Sequence, residues 1–266
     1  MKKAIRRITP VMLVLVALTT LSFMAKDGVT LRLRPLQGKT YTITTKANSM
    51  MMMEVQGQTM NMSQNVETRQ TFTANETNEA HSVFETQIEA VKMSVSQMGM
   101  KFEYDSEHPE KASPMLAGQT QELEKYLKKP VTITYDVMGN VLDSLEFEMS
   151  QLGAAINELP EEELAVGSIW TFNKTQNVGG AEIKANMTYT VTAISKKSVD
   201  VDIAGTVESD VASNEMSGTY TGTASINPQT GIVIQSSMKS NISMTINEQG
   251  MSIPMTIVGN TTVEVK

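Results

Sequence analysis

The chain has 266 residues, of which 40% are hydrophobic, 19% charged and 5% aromatic, and it contains no cysteine. Its 22 Lys+Arg against 29 Asp+Glu give a formal net charge of −7. An acidic surface repels nucleic acid and anionic lipid head groups, so partners that need a basic footprint are excluded. Without cysteine there is no thiol nucleophile, no disulfide framework, and no N-terminal cysteine to carry an acyl anchor.

Residues 1–25 read as a signal peptide. Lys2, Lys3, Arg6 and Arg7 form a basic start, and an apolar run from Val11 to Leu18 follows. That run is shorter than the roughly 20 apolar residues of a bilayer span. Cleavage fits after Ser22 or after Ala25, and removal of residues 1–25 leaves 18 bases against 29 acids, a net charge of −11. The expectation is an exported periplasmic or extracellular protein, soluble after signal cleavage.

From Tyr41 onward strand patterns dominate. Apolar and polar residues alternate in Val131–Tyr135, Tyr189–Ala193, Val199–Ile203, Ile242–Ile246, Met251–Ile257 and Val263–Val265. A period of two places one face on a core and the other in water, the pattern of antiparallel sheet. Two stretches read instead as helices. Ser113 and Pro114 open one that runs to about Lys129, with Leu116, Leu123 and Leu127 on one side. Leu145, Met149, Leu152, Ile156 and Leu159 form the stripe of the second, which ends before Pro160. Hairpin turns are marked at Gln56-Gly57, Met138-Gly139-Asn140, Gln229-Thr230-Gly231 and Gln249-Gly250.

The two halves of the chain echo each other. Gly38-Lys39-Thr40-Tyr41 opens the first and Gly167-Ser168-Ile169-Trp170 the second, while the turn after Tyr135 resembles the turn after Ile226. Either the protein is built of two related β halves, or short β motifs recur by chance. The division that follows is a signal peptide (1–25), a first β half with both helices (26–160), and a second β half completing the sheet (161–266).

Catalytic chemistry has little to work with. His81 and His108 have no partner at metal-ligand spacing, and no phosphate loop, nucleophile elbow or dinucleotide fingerprint occurs. The acid pairs Asp200/Asp202 and Glu103/Asp105 alternate with apolar, inward residues, so they fall on the wet face of their strands. The reading is a protein that is not an enzyme, with no catalytic residue, no metal and no cofactor.

Methionine is the compositional oddity, at 21 residues, with Met50 to Met53 consecutive and Met60, Met62, Met98 and Met100 nearby. Three accounts are open. Thioethers select Cu(I), although no histidine or cysteine accompanies them. They also line pliable apolar cavities, because the unbranched side chain repacks around varied ligands. Or they fill a core poor in aromatics. The candidate ligand-binding set is Met51, Met53, Met60, Met62, Met149 and Leu152, lining a cleft for a lipid or other apolar molecule. The alternative is a structural or interaction module whose partner is another envelope protein.

Several motifs resemble a catalogued bacterial family. They are the lead Leu31-x-Leu33-x-Pro35-Leu36 with Gly38-Lys39-x-Tyr41, the strand end Phe102–Ser106, the turn Tyr135-Asp136-x-x-Gly139-x-Val141, Gly218–Gly222, and Gln249–Met255. Together they are similar to the exported family known as domain of unknown function 6263. That resemblance implies an envelope protein and brings no activity. More distantly the layout looks like lipoprotein-carrier folds, which implies a curved sheet that holds acyl chains. The expected fold is mainly β, a strongly curved antiparallel sheet or half-barrel with two helices packed on the concave face.

Overall fold

The computed structural model describes residues 28–266 apart from 56, 145–157, 179–180, 212–213 and 249–250. The expected signal peptide and the expected turn at Gln249-Gly250 lie outside the described residues. Alternating Thr, Ser and β-branched residues produce twelve strands among those described. They are β1 (Thr40–Val55), β2 (Gln58–Thr77), β3 (His81–Gln97), β4 (Met100–Asp105), β5 (Val131–Asp136), β6 (Val141–Ser144), β7 (Ile169–Val178), β8 (Ala181–Ile194), β9 (Val199–Val211), β10 (Asn214–Ile226), β11 (Val233–Glu248) and β12 (Met251–Val265).

All twelve form one antiparallel sheet in the order β6-β5-β3-β2-β1-β12-β11-β10-β9-β8-β7, with β4 pairing the distal part of β3. The seam is the pairing of the first strand with the last, Ile43–Met53 against Met255–Val265. It joins β1–β6 to β7–β12. β6 and β7 are left as edges, so the sheet is open.

Two neighbouring hydrogen bonds show how strongly the sheet curls. Leu33 N–H donates to the Val137 carbonyl at 2.7 Å, and Arg34 N–H donates to the Thr230 carbonyl at 2.9 Å. Val137 follows β5 and Thr230 precedes β11, five strands further along the sheet. On a flat sheet those strands stand about 24 Å apart, at about 4.8 Å per step. One residue's advance along the chain can serve both only if the sheet wraps around the segment between them. Inward-facing glycines help it to do so. A Cβ on Gly205 would strike the Met187 thioether, and one on Gly222 would strike the Ser237 carbonyl. Their bare backbones let adjacent strands close in.

The core lies at one end of the wrapped sheet. Leu31 and Leu33, both fully buried, insert among Tyr41, Ile43, Phe72, Phe84, Ile133, Tyr135, Tyr189, Val201 and Ile226. Phe84 meets Phe72 and Tyr135 edge to face at 6.1 and 5.8 Å. Leu159 and Leu164 close the plug from the 158–168 segment, with Val29 and Leu164 exchanging backbone bonds at 2.8 Å. The Arg32 guanidinium ties both segments together by donating to the Pro160 and Glu161 carbonyls at 3.0 and 2.9 Å.

The echoed motifs take matching places. Gly38 and Gly167, both with positive φ, precede β1 and β7 and donate to the carbonyls of Ala74 and Val191 at the ends of β2 and β8. The turns after Tyr135 and Ile226 are the two that grip Leu33 and Arg34. Hairpin glycines Gly57, Gly139 and Gly231 have φ of 76°, 85° and 70°, the conformation these reversals demand. Met98 and Gly99, both with positive φ, make a further hairpin between β3 and β4 that the sequence reading passed over.

The two helices expected on the concave face are not supported. Of the first, the chain forms one 3-10 turn, Pro114–Leu116, and one eight-residue helix, α1 (Ala117–Glu124). The physical reason lies in β3. On the side away from β2, β3 pairs with β5 over His81–Thr86 and with β4 over Lys92–Gln97, and in the gap between them the Ile88 carbonyl accepts from Lys128 N–H at 2.9 Å. Leu127 is thereby drawn into a parallel bridge with Ile88, and the helical path ends before it. Leu116 and Leu123 still find apolar contact, against Met93, Tyr104 and Phe102. Of the second helix only Glu158–Pro160 are described, and they are not helical. Leu159 is buried in the plug, where its N–H donates to the Met138 carbonyl at 2.7 Å.

Candidate functional site

Strand register builds the site directly. Residues paired across an antiparallel ladder point to the same face. Met60 pairs with Met53, Met53 with Met255, Met255 with Met244, and Met244 with Met216. Five methionines on five adjacent strands, β2, β1, β12, β11 and β10, therefore form one row. The next row toward the plug runs Met62, Met51, Ile257, Ile242, Gly218 and Val207. A third holds Gln64, Ser49, Gly259, Ser240, Tyr220, Gly205, Met187 and Phe172. These rows line the inner face, the one that carries Ile43, Phe72 and Tyr189 at the plugged end.

The candidate residues thus separate into two groups. Met51, Met53, Met60 and Met62 come together on the inner face, paired Met51–Met62 and Met53–Met60, while Met50 and Met52 point outward and are exposed. Met149 and Leu152 lie outside the described residues. Sequence reasoning missed Met216, Met244 and Met255, although it recognised the alternation that holds the last two. The missing signal was the β1–β12 seam, which sets Met53 beside Met255 across more than 200 residues of chain. No short-range pattern encodes that.

Charge is segregated between the faces. Lys46, Glu54, Glu67, Arg69, Lys92, Asp202, Glu208, Glu215, Lys239 and Glu264 all alternate outward. Among strand residues whose side chains are described, Lys174 is the charged group on the inner face, exposed on edge strand β7. An inward lysine at a sheet edge discourages pairing with another chain.

Exposure changes along the inner face. At the plugged end Ile43, Phe72, Val201 and Ile226 are buried, whereas Met51, Met53, Met60, Met62, Met216 and Met244 are half-buried. Four polar atoms on this face are buried without a hydrogen-bond partner: Thr68 Oγ1, Gln70 Oε1, Trp170 Nε1 and Ser209 Oγ. Thr68 and Gln70 neighbour one another on β2, with Thr45 and Ile43 opposite. The Trp170 ring stacks on Tyr189 at 4.9 Å and 8°. Burial pushes the Tyr189 and Tyr135 hydroxyls up to about 12. It also raises the Glu158 carboxyl, a negative charge felt by Tyr189.

The outer face is wetter and ionic. A groove of about 530 Å³ there is lined by Lys46, Glu67, Lys92, Glu103, Asp105 and His108 among others. Lys92 Nζ sits 3.2 Å from Asp105 and 3.4 Å from Glu107, and Arg69 lies 2.9 Å from Glu107. The Glu107 N–H and the Lys92 ammonium hold the Asp105 carboxyl below its ordinary range. Arg69 and Lys92 do the same for Glu107. His81 and His108 are loop-end residues near Glu76 and Glu110, at 3.2 and 3.7 Å. Among the described residues no three His, Cys, Asp or Glu side chains converge as metal ligands. The Asp200 carboxylate accepts from Ser225 Oγ at 2.7 Å on the outer face.

Fold and site together define an open, curled, twelve-stranded antiparallel sheet with a methionine-rich inner face, on which Lys174 is the charged strand residue among those whose side chains are described. The model of a family of unknown function, DUF6263, matches residues 144–233, about a third of the chain. No curated protein matches. Among solved structures, the chain is similar to lipovitellin, from a study of lipid–protein interactions in that protein, with 10% identity and a TM-score of 0.49. That likeness covers 87% of this chain and 25% of the other, so the chain spans about a quarter of the lipovitellin chain. An outer membrane channel from Pseudomonas putida F1 is matched at 7% identity, 88% and 98% coverage and a TM-score of 0.27. DynF from the dynemicin pathway of Micromonospora chersina is matched at 8% identity, 90% and 85% coverage and a TM-score of 0.22.

Proposed function

We propose that this is an exported, non-enzymatic envelope protein that binds an apolar ligand, a lipid or acyl chain, on the Met-lined inner face of its curled sheet. The observation that carries the reading is the gradient along that face. Its plugged end is filled by the protein's own leucines, while its distal rows, free of charge where their side chains are described, stay half open. Contiguous apolar surface of this extent on a soluble protein marks a place where something else binds. Methionine suits such a surface because it repacks around ligands of varied shape. Export rests on the basic start and short apolar run of residues 1–25.

The test is native mass spectrometry of the full chain purified without detergent, with titration by the neutral apolar dye N-phenyl-1-naphthylamine. Saturable dye uptake and a co-purifying lipid are expected. A ligand-free protein that takes up no dye overturns the reading and favours an interaction module, which the exposed Val141, Leu142 and Ile169 on the two sheet edges would then serve. N-terminal sequencing from the native host should find the chain starting near Phe23 or Lys26. An intact Met1 would contradict export by cleavage.

A further inference from the structure

We infer that the inner-face methionines are a site of reversible oxidation, and that peroxide converts them to sulfoxides that make the open end of the sheet polar and expel its apolar ligand. The plugged end stays intact. The inference rests on the apolar-ligand reading above and adds its regulation.

The chain has no cysteine, so thioethers are its sulfur targets for an oxidant. Strand alternation sorts those of the β1–β2 hairpin by face. Met50 and Met52, 52% and 37% exposed, point outward. Met51, Met53, Met60 and Met62 point inward and are half-buried, like Met216 and Met244. Met52, Met53, Met244 and Met255 border a cavity of about 590 Å³ where the β1–β12 ladder ends at the Met53–Met255 pair. A molecule as small as hydrogen peroxide has room there. The plugged end offers it little, because Leu31, Leu33, Leu159 and Leu164, which seal it, are buried and carry no sulfur.

The step balances with hydrogen peroxide alone. The thioether lone pair attacks one peroxide oxygen, an S–O bond forms as the O–O bond breaks, and the hydroxide that leaves takes the remaining proton to become water. Sulfur is oxidised and peroxide reduced by the same electron pair. The product is a polar, chiral acceptor in place of a flexible apolar group, and methionine sulfoxide reductases return it to the thioether. From β2 to β11 the two distal rows pair methionine with methionine or isoleucine. None of these side chains donates a hydrogen bond, so sulfoxide oxygens in the rows must be met by water. Cross-strand neighbours stand about 5 Å apart, so oxidation of either member of a Met–Met pair wets both. On the outer face the same reaction adds a polar group to a surface already in water and leaves the inner wall as it was.

The experiment treats the full chain with graded hydrogen peroxide. Each sample is read by peptide mass mapping of sulfoxides, by N-phenyl-1-naphthylamine affinity and by thermal melting. Met50, Met98 and Met115, all more than half exposed, should oxidise first and leave dye affinity unchanged. Conversion of the inner-face set should then weaken the dye by about tenfold or more, with the melting transition retained. Methionine sulfoxide reductases A and B together should restore affinity, which tests the switch without any substitution. Met50→Leu/Met52→Leu should lose binding at the same dose as the parent. Met51→Leu/Met53→Leu/Met60→Leu/Met62→Leu should weaken by less than about threefold. Inner-face methionines that stay thioethers in the folded chain, or dye affinity that survives their oxidation, overturn the switch and leave the apolar site standing. A loss of affinity that tracks the outer methionines, or that comes with loss of the melting transition, overturns it as well. Failure of the untreated chain to take up dye overturns the apolar-ligand reading itself, a result that does not depend on the oxidation map.

Discussion

The two ends of the curled sheet carry the same alternation and meet different fates. At the plugged end, Ile43, Phe72, Phe84, Val201 and Ile226 are sealed by Leu31, Leu33, Leu159 and Leu164, which come from segments outside the strands. At the distal end the same face continues through two rows of methionine and isoleucine, mostly half-buried, between hairpins such as Gly57 and Met98-Gly99. Strand patterning therefore decides which face is apolar, and a second layer decides how much of that face is core. The residue types follow the division. Aromatics with fixed ring geometry fill the closed end, where each contact is defined, and flexible thioethers line the open one.

The comparison breaks most visibly if the plug is removed. Leu33→Asp should cost about 4 kcal/mol or more, because a carboxylate would enter a fully apolar contact, and urea unfolding would show it. An unchanged midpoint would mean that the lead segment does not seal the core.

High pH should act at the same end. Tyr135 and Tyr189 ionise at about 12 in the folded protein and near 10.0 when unfolded. A raised folded value means that the neutral form is favoured by folding, so this stability is complete below about pH 10 and is lost as pH rises toward 12. The rise from 10.0 to about 12 corresponds to about 3 kcal/mol for each hydroxyl at the top of that window. Urea midpoints between pH 9 and 12 should fall steeply in the parent and less in Tyr135→Phe/Tyr189→Phe. Tyrosinate absorbance rising in full near pH 10 would contradict the burial.

The open end should respond in the opposite sense, with small stability changes and large binding changes. Met53→Ala or Met244→Ala removes a half-buried side chain and should cost roughly 1 kcal/mol, less than a sealed core residue. Dye uptake should weaken several-fold in the same variants. Stability losses as large as those at the plug would show that the methionine rows are ordinary core.

The smallest effect is expected for Met60→Leu/Met62→Leu, which conserves apolar volume and should leave the melting temperature almost unchanged. The five-methionine row also sharpens the soft-metal question. Anaerobic Cu(I) titration against a competing chelator should give weak binding that is the same in parent and double variant. Tight stoichiometric binding lost in the variant would make the row a thioether metal site instead.

Local sequence went far in this chain because alternation is a local property. Val131–Tyr135, Tyr189–Ala193 and Ile242–Ile246 each reveal their inward face without reference to any other strand, and Gly57, Gly139 and Gly231 mark their own reversals. Of the motifs that carried the family resemblance, Gly218–Gly222 lies inside the matched stretch 144–233. The helical stripe at Leu116, Leu123 and Leu127 misled, because Leu127 bridges to Ile88 in the gap that β5 and β4 leave along β3, some forty residues earlier. What lay beyond local reach was pairing. That β1 meets β12, that Met53 thereby joins Met255, Met244 and Met216, and that Leu33 and Arg34 bridge two distant turns are decisions of the closed chain. Alternation sets the face of every strand one residue at a time, but which strands become neighbours depends on summed burial and hydrogen bonding over the whole sheet. Only the tertiary structure carries that sum.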